Sequence, residues 1–229
     1  TVIEEVNMDQ AIYIEKLQEA VRAGRNGDWV TVGKIAFYEA SMAANIFSFL
    51  EDIMPAEVKR KIALEHYIHH GDQYPIIRKH VRNSLKARPE NWREKLPEAV
   101  RHLDSFTVYR AGLESLDKAK YALSWTLSRD VAEWFANRQK FLYGQLGHIY
   151  KATISAEKVI AFDNGRSEFE IIQYRNVKNI EEVPMQGYSE AYRHHLDDET
   201  LGAWESRKKY LDYFNDMMRR ELNELPVAV

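Results

Sequence analysis

Five polar residues stand in short apolar segments in the middle of the chain, where strand formation alone does not require them. They are Arg110, Ser124, Thr126, Glu168 and Glu170. The segments FTVYR, ALSWTLS and FEIIQY are rich in β-branched and aromatic residues, which is typical of strands. Because alternate side chains of a strand point the same way, Ser124 and Thr126 should share one face, and so should Glu168 and Glu170.

A cleft lined by these groups would be suited to one kind of chemistry. A guanidinium binds a diphosphate through paired hydrogen bonds, and hydroxyls orient sugar oxygens. One carboxylate can stabilise an oxocarbenium-like cation as a glycosidic bond breaks, and a second can take the proton of an incoming nucleophile. Two close carboxylates raise the pKa of one of them, which favours such a division of roles. If the strands are neighbours, the sequence predicts a site that cleaves an N-glycoside.

A change from helical to strand-like periodicity marks the block that carries these residues. Strands are predicted at 106–110, 122–128, 148–155, 158–162 and 169–174, with a further strand at 176–185. Between the second and third strands, SRDVAEWFANRQ has an apolar helical stripe, and Ser128 is placed to cap its first turn. The block should therefore be a sheet with one helix inserted.

Helices are predicted on both sides of this block. The clearest runs from Trp29 to Met54, with Asp28 as its N-cap, because apolar residues recur there at steps of three and four. Others are predicted at 9–23 (ended by Gly24), 56–70, 74–87 and 91–103, and beyond residue 188. Helices, then strands, then helices indicate an α+β fold.

The predicted domain organisation follows the same changes of pattern. We expect an N-terminal helical region at 1–104, a β core at 105–187 and C-terminal helices at 188–229, together forming one compact unit. In the last of these, apolar residues fall every seven positions at Trp204, Leu211, Met218 and Leu225, with Leu201 and Leu222 alongside. Packing against its own domain is the favoured interpretation of that helix, and a docking role is the alternative.

Composition narrows the classes of protein to which the chain can belong. The 229 residues are 45% apolar, so the chain can bury a core, and the net charge of −3 gives no overall nucleic-acid signature. The absence of cysteine excludes disulfides, thiolate catalysis and cysteine zinc sites. There is no visible signal peptide and no apolar run long enough to span a membrane. We expect a soluble cytoplasmic protein that has no membrane partner.

The order VYR, then SWT, then EFE resembles the mono-ADP-ribosyltransferases of the arginine–serine–glutamate class. SWTLSRDVAEWFA is similar to the strand and helix that carry the serine motif in bacterial and phage members, and GHIYKATISAEKVIAF is similar to the strand pair before Glu-x-Glu. The resemblance covers residues 105–175. It implies a split β-sandwich core with NAD as substrate and no metal. It also implies cleavage of the nicotinamide N-glycosidic bond and transfer of ADP-ribose to a macromolecular acceptor.

The resemblance also implies a role for each matching residue. Arg110 would hold the phosphates or nicotinamide ribose of NAD, and the backbone of Ala111 would bind the nicotinamide amide. Ser124 would position Glu170, which would bind the ribose 2′-hydroxyl and stabilise the cation. Glu168 would act on the acceptor.

Further contacts to NAD are implied more loosely. Thr126 occupies the third position of the serine motif, and Trp125 stands where a small residue is usual. Phe141 and Tyr143 would clamp the dinucleotide by stacking, or else pack into the core. The turn at 163–167, DNGRS, would recognise the target.

The acceptor is left open by the sequence. A glutamate at the position of Glu168 favours protein arginine. The basic stretch 56–101, with eleven Lys and Arg against six Asp and Glu, favours a nucleic-acid base, and its interleaved Tyr67, Tyr74 and Trp92 would suit stacking on bases. Water as acceptor would make the protein an NAD glycohydrolase.

Other classes of function compete with the enzyme. The fold could be a non-catalytic partner-binding module, or the helices could form a structural adaptor. Relatives often act as toxins or phage-defence effectors, which implies a neutralising partner that the C-terminal helix could bind. The run HYIHH also suggests a metal site at His66 and His70, as does the pair His194-His195, but solvated helix ends are the favoured interpretation.

Overall fold

A computed structural model describes residues 2–71, 73–193 and 203–224. The chain forms two compact units, Thr1–Arg88 and Pro89–Val229. The division therefore lies at residue 88, whereas the sequence pattern changes at 104. The reason is that 3₁₀ turns at Glu90–Lys95 and Glu98–Val100 bury their apolar side chains, including that of Trp92, in the core of the second unit.

The described part of the first unit is helical. Helix α1 spans Val2–Arg25, α2 spans Trp29–Ala36, α3 spans Met42–Leu50, α4 spans Ala56–His70 and α5 spans Pro75–Asn83, followed by a 3₁₀ turn at Ser84–Ala87. Asp28 caps α2 as predicted, because its Oδ1 accepts a hydrogen bond from the backbone N–H of Thr31 at 3.1 Å. Gly24 does not end α1. A Cβ there would lie 2.4 Å from the side chain of Leu50, so glycine permits the close approach of α1 and α3.

The prediction of one helix from Trp29 to Met54 is wrong. The chain leaves the helix after Ala36 and re-enters it at Met42. The carbonyl oxygen of Ala40 is bound by buried His66 at 2.5 Å instead of by a later helical N–H. The apolar residues on both sides of the break are buried, so their periodicity gives no sign of it.

Within the described residues, the second unit has a six-stranded antiparallel sheet. Its strands are β1 (Ser105–Gly112), β2 (Ser124–Thr126), β3 (His148–Ser155), β4 (Val159–Asp163), β5 (Glu170–Gln173) and β6 (Lys178–Val183), in the order β4-β5-β2-β1-β3-β6. Helices α6 (Leu116–Ala119), α7 (Arg129–Tyr143) and α8 (Ala203–Glu224) accompany the sheet. The α+β prediction is confirmed.

The middle of this sheet is weakly joined. Within the described part of the chain, β1 and β2 share one registered pair, Tyr109 with Thr126. By contrast, β1 pairs with β3 along its whole length, from Ser105 opposite Ser155 to Gly112 opposite His148. The sheet therefore consists of two three-stranded halves, β4-β5-β2 and β1-β3-β6.

Helix α8 packs on its own unit. Tyr210, Phe214 and Met218 are buried in the same core as the sheet residues Phe106 and Trp125. For Met218 this confirms the interpretation that the C-terminal helix packs against its own domain. The buried residues of α8 lie four positions apart, however, whereas the predicted repeat had steps of seven. Leu201, Leu225 and the side chains of Trp204 and Leu222 lie outside the described residues.

Candidate active site

Arg110 lies near the end of β1, and its guanidinium reaches β2. Nε donates a hydrogen bond to Oε1 of Glu114 at 2.9 Å, and Nη1 donates to the carbonyl oxygen of Ser124 at 3.0 Å. About a quarter of each charged side chain is exposed, 28% for Arg110 and 25% for Glu114. None of the described residues binds Nη2 of Arg110, so this nitrogen can donate to a ligand.

Glu114 is a residue of the site that the sequence did not predict. It follows β1 in a turn, and the hydroxyl of Tyr150 on β3 donates to its backbone carbonyl. Gly112 leaves room for its carboxylate, because a Cβ at that position would lie 2.0 Å from Oε2 of Glu114. A spacing of four residues predicts a side-chain contact on a helix, and Arg110 lies in a strand, so the sequence carries no local signal for this pair. Glu114 holds the guanidinium of Arg110 in a fixed orientation.

Ser124 connects β2 with the carboxylate of Glu170 on β5. Ser124 pairs in register with Ile172, and Thr126 pairs with Glu170. The Ser124 hydroxyl therefore reaches diagonally along the shared face and donates to Oε1 of Glu170 at 2.5 Å. The structure thus links Arg110, Ser124 and Glu170 in one continuous set of contacts.

Thr126 serves the backbone and is not open to a ligand. It is 6% exposed, and its hydroxyl donates to the carbonyl oxygen of Glu168 at 2.6 Å while accepting from the backbone N–H of Ser128. Because both hydrogen-bonding roles of the hydroxyl are used, Thr126 positions the residues before β5. Trp125 is buried in the core with Phe106 and Val108, and its indole N–H donates to the carbonyl oxygen of Ala122.

The prediction that Glu168 and Glu170 share one strand face is wrong. β5 begins at Glu170, and the two residues before it leave the extended conformation because Phe169 has φ of 49°. Asn164 accepts a hydrogen bond from the Phe169 N–H through Oδ1, and Ser167 has φ of 58°. The two carboxylates meet because of this turn, not because of strand alternation.

Arg166, in the turn DNGRS, lies between the two carboxylates. Its Nη2 is 2.8 Å from Oε2 of Glu168 and 3.8 Å from Oε2 of Glu170. The Arg166 side chain is 46% exposed, whereas those of Glu168 and Glu170 are 22% and 10% exposed. A solvent-facing cation therefore covers two largely buried anions.

One carboxylate oxygen of Glu170 can accept a further hydrogen bond. Oε2 is buried and has no hydrogen-bond partner among the described residues, since Arg166 at 3.8 Å is too far for one. An unsatisfied buried carboxylate oxygen is costly, and native structures rarely keep one without a reason. A ligand hydroxyl would satisfy it.

The surroundings raise the pKa of both carboxyl groups. Burial is the main cause of the raised pKa of Glu170, with Glu168 and Asp163 adding to the rise, while the Ser124 bond and Arg166 oppose it. Burial likewise raises the pKa of Glu168, Asp163 again adds to it, and Arg166 and Arg138 oppose it. Such perturbed carboxyl groups are typical of functional sites.

The C-terminal end of α7 projects aromatic side chains into solvent. Phe141 is 89% exposed and Tyr143 is 68% exposed, so neither packs into the core. The positive charge of Arg138, one turn earlier, opposes the rise in the pKa of Glu168. Ala111 pairs with Ile149 of β3, and its side chain packs beneath α7. The stacking by Phe141 and Tyr143 and the backbone contact of Ala111 therefore stay predictions.

A cavity of about 790 Å³ lies beside the first half of β1. The odd-numbered residues Ser105, Thr107 and Tyr109 line it, together with Tyr213 and Met217 of α8. Its lining does not include Arg110, Ser124 or Glu170. The cavity is therefore distinct from the cluster of Arg110, Ser124 and Glu170.

The described residues of the histidine and basic stretches do not form the metal and base-stacking sites that the sequence left as alternatives. The described residues include no group of three or more His, Asp or Glu that could hold a metal, and His194-His195 lie outside them. Tyr67 and Trp92 are buried, and Tyr74 packs edge-on against His66, so these aromatics are not available to stack on bases. None of the described helices is both long and apolar enough to cross a membrane.

Comparisons with known proteins add no relative. No protein-family model matches the chain, and no curated protein or solved structure matches it significantly. The interpretation of the site therefore depends on its own residues and geometry.

Proposed function

We propose that this protein is an NAD-dependent mono-ADP-ribosyltransferase. The observation that carries the proposal is the buried Oε2 of Glu170, which accepts no hydrogen bond from the described residues, while Ser124 holds the other oxygen at 2.5 Å. A ribose hydroxyl would complete the hydrogen bonding of this carboxylate. The carboxylate would then lie beside the sugar carbon on which positive charge develops.

The remaining groups suit the rest of NAD. Nη2 of Arg110 would bind a phosphate or ribose oxygen, while Glu114 and the Ser124 carbonyl keep the guanidinium in place. The backbone at Ala111 would meet the nicotinamide amide. The weak junction between β1 and β2, with its one registered pair among the described residues, supports a split β-sandwich core that opens where Arg110 and Ser124 lie.

The proposed reaction divides the work between the two glutamates. The bond between nicotinamide nitrogen and ribose C1′ breaks, and nicotinamide leaves with the electron pair. Ionised Glu170 stabilises the cation that remains. A nucleophile of a macromolecular acceptor bonds to C1′, and its proton passes to Glu168, whose raised pKa suits it to accept one.

The other candidate functions use the site differently. A glycohydrolase would use the same residues with water in place of the acceptor. A non-catalytic binding module would not require a buried carboxylate of raised pKa beside a fixed guanidinium, so that arrangement favours the enzyme.

Nicotinamide release from NAD by the purified protein tests the proposal. Glu170→Gln keeps the shape of the side chain and removes its charge, and should lower release by about a hundredfold or more. Glu157→Gln is the matched control, since Glu157 is 72% exposed in a 3₁₀ turn, and it should leave release unchanged. Absence of release and of NAD binding in the native protein would contradict the enzyme and favour the binding module.

A further inference from the structure

The guanidinium of Arg166 occupies the place that an acceptor must take in the proposed reaction. Its Nη2 is 2.8 Å from the proton-accepting Oε2 of Glu168 and 3.8 Å from the cation-stabilising Oε2 of Glu170. A nucleophile has to lie close to its base and to the reacting carbon at the same time. Arg166 belongs to this chain and already lies beside both carboxylates, so no separate acceptor protein is needed to place a guanidinium there.

The backbone around Arg166 keeps it there. Ser167 is 5% exposed and donates its N–H to the carbonyl oxygen of Asn164, while the Asn164 side chain accepts from Phe169. The carbonyl of Glu168 is held by Thr126. The turn is therefore fixed at both sides of Arg166, and only the half-exposed side chain extends from it.

We propose that Arg166 is an intramolecular acceptor, so that the protein ADP-ribosylates itself at this residue. This rests on the proposed function. The C1′–nicotinamide bond of NAD breaks and nicotinamide leaves with the electron pair. Nη2 of Arg166 forms the new bond to C1′, and the proton it loses goes to Glu168. The products are ADP-ribosyl-Arg166, nicotinamide and one proton.

Modification would also change the site. The bulky group would remain in the turn beside Glu168 and Glu170, where an external acceptor would have to approach. The reaction should therefore limit itself, and the same geometry identifies a guanidinium as the class of acceptor that fits between the two carboxylates.

Incubation of the full chain with NAD, followed by trypsin digestion and mass spectrometry, tests this inference. Trypsin normally cleaves after Lys158, Arg166 and Arg175. A modified Arg166 resists cleavage, so the expected product is a single peptide of residues 159–175 carrying one ADP-ribose. The modified fraction at a fixed time should not change when the protein is diluted tenfold in saturating NAD.

Three variants provide the controls. Arg166→Lys keeps the positive charge between the carboxylates and should remove the label from this peptide. Arg175→Lys makes the same change at the nearby surface arginine over Tyr174 and should leave Arg166 labelled. Glu170→Gln, mixed with native protein, should stay unlabelled if the transfer is intramolecular.

The possible failures are distinguishable. Nicotinamide release without ADP-ribose on Arg166 would overturn this inference and leave the proposed function standing. Labelling of Glu170→Gln by native protein would overturn the intramolecular step. Absence of release in the same samples would overturn both proposals.

Discussion

Ser124 and Glu170 are joined across a diagonal of the β2–β5 pair, with 2.5 Å between Oγ and Oε1. The bond orients one oxygen of the carboxylate and leaves the other, Oε2, without a hydrogen-bond partner among the described residues. It also opposes the rise in the pKa of Glu170 that burial causes. The Ser124 hydroxyl therefore affects both the orientation and the pKa of the Glu170 carboxylate.

Replacement of Ser124 by alanine should lower the kcat/KM for NAD cleavage by about ten- to a hundredfold, since hydrogen bonds to charged groups contribute about 1.5–3 kcal/mol. The acid limb of the pH–rate profile should also move to higher pH, because the bond that lowers the pKa of Glu170 is lost. The profile is measured beside that of Ser105→Ala, an exposed serine of β1, which should match the native protein. An unchanged acid limb would contradict the role of the bond.

Glu170→Gln should raise stability at neutral pH, in contrast to the loss of NAD cleavage that the proposed function predicts for it. The folded-state pKa of Glu170 lies above the value of about 4.3 for an unfolded glutamate, so the folded state binds more protons between those two values. The contribution of Glu170 to the free energy of unfolding therefore falls as the pH rises through this window. Glutamine does not ionise, so the stability of Glu170→Gln does not fall in this way.

Urea unfolding at several pH values measures this effect. The midpoint difference between Glu170→Gln and the native protein should be smallest near pH 4 and should grow towards neutral pH. A difference that stays constant with pH would show that Glu170 titrates alike in both states.

Glu114→Gln should weaken NAD binding more than it slows chemistry. The carboxylate fixes the Arg110 guanidinium at 2.9 Å, and the neutral amide holds it less firmly, so KM should rise by about tenfold while kcat changes less. Gly112→Ala provides an independent route to the same result, because its Cβ would displace the Glu114 carboxylate. An equal fall in kcat for both variants would place Glu114 in the chemical step instead.

Thr107→Trp should leave NAD cleavage unchanged. Thr107 is exposed and lines the 790 Å³ cavity, whose lining does not include Arg110, and an indole there would occupy part of the cavity. Steady-state nicotinamide release decides the point, with circular dichroism to check the fold. A large rise in KM would show that NAD binds in the cavity and not at Arg110.

Much of the second unit could be predicted from sequence because its signals are local. The composition of the strands predicts where they lie. The prediction that Ser128 caps α7 is confirmed, because its hydroxyl accepts a hydrogen bond from the Val131 N–H. The strands that carry Arg110, Ser124 and Glu170 lie side by side, and each of these residues contacts the next, while their convergence in one NAD-binding cleft stays a prediction.

The missed features depend on contacts that local patterns do not encode. Glu168 leaves the strand because Phe169 adopts a positive φ, which composition does not reveal. Glu114 and Arg166 look like surface residues of turns, and only the folded chain brings them to Arg110 and to the two carboxylates. The break after Ala36 could not be predicted, because the carbonyl of Ala40 that it frees is bound by His66, which is distant in sequence.

Phe169, which stands between Glu168 and Glu170, packs against helix α8, a later part of the chain. Phe169 is 1% exposed, and its ring lies 4.5 Å from that of Phe214 and 5.6 Å from that of Tyr210, both on α8. During synthesis every polar group of the site leaves the ribosome before α8 does. A nascent chain therefore has the reactive groups without the packing that holds Phe169, and NAD cleavage should begin only after α8 has docked.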